Sequence, residues 1–151
     1  MGRIRAAFAV AAVAAVAAIS YGMPVMATVV AHVAIQIDES DPDKMNMVLG
    51  NAENIYKYYN ARGEEVVIEF VANGPGLTMM REDISPVKDR ISKMSETIPN
   101  LTFSACRNTI KGIKAKTGVD VVLIPQAQVV DSGVVRLMEL QSKEGYSYLK
   151  P

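Results

Sequence analysis

The chain has 151 residues, with sixteen basic and sixteen acidic side chains, one histidine and one cysteine. That length suits one domain, and with half of the residues hydrophobic it builds a core without covalent staples. A lone cysteine excludes an internal disulfide framework, and an even charge balance leaves no dominant basic face for nucleic acid.

Residues 1–27 read as a secretory signal peptide. "MGRIR" is a short basic head, "AAFAVAAVAAVAAIS" an uncharged Ala/Val run, and "MPVMA" places small Val25 and Ala27 third-last and last before a cut. The apolar run is shorter than the ~20 residues of a spanning helix and is mostly weakly hydrophobic alanine. Cleavage after Ala27 leaves residues 28–151 and removes Arg3 and Arg5, giving fourteen basic against sixteen acidic side chains, a formal charge of −2. The expected location is periplasmic or secreted, with no membrane contact apart from the leader; an uncleaved leader serving as an anchor is the alternative.

"VVAHVAIQI", Val29–Ile37, is apolar and β-branched, the pattern of a strand buried on both faces. Asp41 and Pro42 then supply a turn and a helix start. Met45, Val48, Leu49, Ala52, Ile55, Tyr56 and Tyr59 recur at helical spacing up to Gly63. Residues 64–72, "EEVVIEFVA", form a second strand that ends at "NGPG". Ser85 and Pro86 predict a helix start, with Val87, Ile91 and Met94 on one face, broken at Pro99 and Asn100. Residues 101–104 read as a short strand and residues 107–116 as a helix closed by Gly118. Residues 119–124, "VDVVLI", read as a buried strand and residues 125–131 as a loop. Ser132 caps a last helix through Val135, Leu137, Met138 and Leu140, and "YSYLKP" closes the chain as an edge strand.

Strands alternating with helices over short links predict an α/β fold. Right-handed crossovers make it a three-layer α/β/α sandwich around a mostly parallel sheet of about five strands. In such folds the ligand crevice lies beyond the carboxyl ends of the strands. Residues 38–41, 73–76, 105–106 and 125–132 are expected there.

Cys106 follows a strand and precedes a helix. The free N–H groups and positive dipole end of that helix lower a thiol's pKa, and Arg107 and Lys111 stand nearby in sequence. A thiolate is a nucleophile, which suits covalent or sulfur-carrying chemistry. The competing reading is packing, since free cysteine is among the most buried residue types. His32 is mid-strand, away from a carboxyl end, so a Cys–His pair would need two distant positions to meet; no HxH, CxxC or HExxH spacing marks a metal site. Asn73, Gly74 and Gly76 bring a glycine-rich turn to a strand end, where backbone can approach a ligand closely. Pro125, Gln126 and Ser132 are expected on the facing wall of the crevice. Tyr56, Tyr58, Tyr59, Met79 and Met80 are candidates for core or for a subunit interface.

The order of "GNAENIYKYYNARG", "EVVIEFVANGPGL", "LTFSACRNT" and "VVLIPQAQVVDSGVVRLMELQSKEGYSYLKP" resembles the DsrE/DsrF-like family of small α/β proteins. The resemblance spans nearly all of residues 28–151. It implies a homo- or hetero-oligomer such as a trimer or hexamer, and sulfur carried as a persulfide on a cysteine at the position of Cys106; a homo-oligomer (trimer or hexamer), no cofactor, and a sulfur-donor or acceptor protein as partner are expected here. The expected function is therefore an exported sulfur carrier or sulfurtransferase with Cys106 and Arg107 at its centre. The alternative is a non-catalytic oligomeric module that binds a small ligand or a partner, with Cys106 structural.

Overall fold

The computed structural model describes residues 28–151, so the expected signal peptide lies outside the described residues. In chain order the elements are β1 (Val29–Ile37), α1 (Pro42–Asn60), β2 (Glu65–Ala72), a 3-10 segment (Gly74–Met80), α2 (Lys88–Thr97), β3 (Leu101–Cys106), α3 (Arg107–Thr117), β4 (Ala127–Val130), α4 (Gly133–Ser142) and β5 (Ser147–Leu149). The strands form one sheet in the order β4-β3-β2-β1-β5, and every pairing is parallel.

The chain starts its first helix as the local residues dictate. The Asp41 carboxylate accepts from the N–H of Asp43, and Pro42 takes the first turn. Met45, Val48, Leu49 and Ala52 form the buried stripe. They pack with Ile35, Ile68, Phe70, Phe103 and Ile91 in the main core, where the Phe70 and Phe103 rings stack 5.0 Å apart.

The crossovers from β1 to β4 all step the same way, so right-handedness puts α1, α2 and α3 on one face. The connection from β4 back to β5 runs the opposite way and carries α4 across the other face. There Leu137 and Leu140 of α4 pack on Ala34 and Val71 in a second, smaller core. The result is the expected three-layer α/β/α sandwich, with a five-stranded, entirely parallel sheet. Among the described residues no helix is long and apolar enough to cross a membrane.

Two sequence expectations are corrected. Residues 119–124 do not form the fourth strand. Val119 and Val122 are exposed, and the segment runs beside residues 80–82: Leu123 makes an isolated antiparallel bridge to Arg81, and Ile124 N–H donates to the Met80 carbonyl at 3.0 Å. The apolar run buries Ile124 and half-buries Val121 and Leu123 against the main core, without joining the sheet. The fourth strand is instead Ala127–Val130, inside the stretch expected to be a loop. The second correction is smaller. The helix expected from Ser85 begins at Lys88; the Ser85 hydroxyl donates to the Met79 carbonyl at 2.6 Å and accepts from the Val87 N–H at 3.3 Å, bracing the turn that precedes the helix.

Candidate functional site

The helices after β3 and β4 leave on opposite faces of the sheet. This is the topological switch point, where parallel sheets open a crevice. Cys106 ends β3, pairs with Val130 at the end of β4, and is the N-cap of α3. Its side chain shares the face of Ser104, because strand side chains alternate, and so turns toward α4.

Two helix starts therefore converge on one sulfur. Asn108 and Thr109 belong to the first turn of α3, and Gly133 is the first residue of α4. Burial pushes the Cys106 thiol up. The N–H of Gly133, the hydroxyl of Thr109 and the N–H groups of Thr109 and Asn108 outweigh burial, so its pKa lies below the ordinary thiol value. The cause is hydrogen-bonding dipoles aimed at the charged form, not a neighbouring cation. Arg107 Nε lies 3.1 Å from Oδ1 of exposed Asp131. The thiolate-stabilising role expected of Arg107 is not among the causes of that lowering; its guanidinium makes a surface ion pair instead.

The glycine-rich turn joins this centre through Thr109, whose Oγ1 accepts from Gly74 N–H at 2.9 Å. Gly74 sits at φ 54°, a left-handed conformation that glycine adopts without strain. Asn73 closes another side: its Oδ1 accepts from Gln36 Nε2 at 2.9 Å, and Gln36 Oε1 accepts from the Tyr148 hydroxyl. Gly76 does something other than line a crevice. A Cβ there would stand 2.2 Å from the Ile37 carbonyl oxygen, so glycine is required for β1 to pass. Ser132 is the N-cap of α4 as expected, although its hydroxyl makes no capping bond.

Pro125 and Gln126 do not reach the site. They precede β4, at the amino end of the sheet, where Gln126 Nε2 contacts Ser92 Oγ at 3.3 Å. Their misplacement follows from the misread fourth strand. His32 lies on β1, with β2 between it and β3, and packs its ring on Tyr146 at 5.1 Å.

Cys106 is only 5% exposed. Open grooves flank it without including it. One of about 400 Å³ runs along Gly74, Thr78, Thr109 and Gly112; another of about 510 Å³ runs along Arg107, Ser132, Val135 and Arg136.

Sequence reasoning missed a charged cluster beside the thiol. The buried Glu69 carboxylate accepts from the Ser104 hydroxyl at 2.7 Å and from Arg136 Nε and a terminal guanidinium nitrogen at 2.8 and 2.7 Å. Arg136 also pairs with Glu144 at 2.5 Å. The available signal was a glutamate flanked by apolar residues within "VVIEFVA" and an arginine within "GVVRLMEL": a charge at a core position needs a partner.

A scan against protein-family models finds no match, and neither does a search of curated proteins. Among solved structures, the chain is similar to a protein of unknown function from Methanobacterium thermoautotrophicum, at 30% identity and a TM-score of 0.67, over 80% of this chain and 99% of that one. Identity at that level over almost the whole relative carries more than a shared fold, and the chain belongs to the same family as that methanobacterial protein.

Proposed function

We propose that this protein is an exported, DsrE/DsrF-like carrier of sulfane sulfur, with Cys106 as the carrying residue. The observation that supports it most is the convergence of the α3 and α4 starts on a single sulfur whose pKa is lowered. The Cys106 thiolate attacks the outer sulfur of a hydropersulfide, R–S–SH. A new S–S bond forms at Cys106, the donor S–S bond breaks, and R–S⁻ leaves with the electron pair. An acceptor thiolate reverses the step. The terminal sulfur stays near the same N–H groups, which favour its anionic form.

The test is incubation with inorganic polysulfide followed by mass spectrometry. The expected result is an adduct of about 32 Da on Cys106 that a thiol removes. No adduct on folded protein, with Cys106→Ser indistinguishable from the parent, sinks the proposal.

The burial of Cys106 favours a second reading, in which the thiol is packing and the protein is an oligomeric binding module. Both readings include an oligomer, and the exposed face of α4 is where we place a second copy of the chain. Val134, Val135 and Met138 are each more than half exposed on its outer face, and Val129 is exposed on the neighbouring edge strand.

A further inference from the structure

We propose that Glu69 and Arg136 act together as positioning residues that hold the amino end of α4 against Cys106. The inference rests on the thiolate reading above and explains how its geometry is fixed. No other side chain of the first turn of α4 ties it to the sheet. Gly133 has no side chain, Val134 and Val135 point to solvent, and the Ser132 hydroxyl makes no cap. Arg136 is the first residue of α4 whose side chain reaches the sheet. Its backbone N–H donates to the Ser132 carbonyl at 2.9 Å, while its guanidinium grips Glu69 through two hydrogen bonds. The same carboxylate accepts from Ser104, two residues before Cys106 on the same face of β3. One buried anion thus ties the strand that carries the sulfur to the helix that carries the Gly133 N–H. A two-pronged guanidinium–carboxylate contact fixes direction as well as distance.

Positioning and simple charge effects predict opposite signs for one variant. If the pair acts only through its field, Glu69→Gln removes an anion near the thiolate and lowers the Cys106 pKa, while Arg136→Met raises it. If the pair positions α4, both variants raise it, and together they shift it no further than either alone, because they disable one device. The readout is the ultraviolet absorbance of the thiolate against pH, with each variant's Cys106→Ser counterpart subtracted. The expected result is an upward shift of the midpoint in Glu69→Gln, in Arg136→Met and in the double variant. The double variant leaves no unpaired buried charge, so it keeps the test open if a single variant fails to fold. A downward or absent shift in Glu69→Gln, or an unshifted double variant, overturns the inference and leaves the thiolate reading standing. A parent midpoint no lower than that of the unfolded chain removes both.

Discussion

Gly133 covers Cys106 so closely that a methyl group placed on it would stand 3.3 Å from the cysteine Cβ and 3.1 Å from that of Asn73. The absence of a side chain is what lets the first N–H of α4 reach the sulfur.

Gly133→Ala should therefore crowd the site and push α4 outward. Alanine is the better helix former, so any loss reports packing. Overpacking of this kind costs ~1–3 kcal/mol. Denaturant unfolding should show that loss, and thiolate absorbance should show a raised Cys106 midpoint. An unchanged midpoint would mean that the Gly133 N–H does not act on the sulfur.

Thr109 Oγ1 accepts from the N–H of Gly74, and its hydroxyl is one of the groups that lower the Cys106 pKa. Thr109→Val keeps the shape but loses the hydroxyl, and with it the acceptor of the part-buried Gly74 N–H, at about 1 kcal/mol. Thr109→Ser keeps the hydroxyl. The expected order of Cys106 midpoints is parent and serine variant together, valine variant higher. Equal midpoints for serine and valine would remove the hydroxyl from the site.

The lowered thiol pKa has a consequence for stability. A group whose folded pKa lies below its unfolded value stabilises the fold fully above the unfolded value, ~8.5 for a thiol. That contribution fades as pH falls through the folded pKa. The stability of the parent relative to Cys106→Ser should therefore grow with rising pH across this window. A pH-independent difference between the two, measured by chemical denaturation, would show a thiol that titrates alike in both states.

The outer face of α4 offers a test of assembly. Met138 is 63% exposed between Val134 and Val135. Met138→Glu should dissociate an oligomer into single chains while leaving the helical circular dichroism intact. Light scattering that finds the parent already monomeric would contradict the placement of a second copy there.

The layers of this fold were legible because their signals were local. Periodic apolar residues from Met45 to Tyr59 and β-branched runs at residues 29–37 and 64–72 follow directly from what helices and parallel strands bury. The fourth strand was illegible for the converse reason. "AQVV" is short and half exposed at a sheet edge, whereas "VDVVLI" is more apolar yet finds its partners in residues 80–82. The position of Cys106 at a strand–helix joint was readable. Its second helix was not, because Gly133 lies 27 residues away and reaches the sulfur only through the return crossover. Arg107 misled because sequence adjacency says nothing about which partner a side chain takes, and its guanidinium pairs with Asp131.

The most direct measurement is the thiolate titration of the unmodified protein, folded and in denaturant, with Cys106→Ser subtracted in each. The folded chain should titrate at a distinctly lower midpoint. A folded midpoint equal to or above the denatured one would show that burial outweighs the gathered N–H groups, and would leave Cys106 as packing.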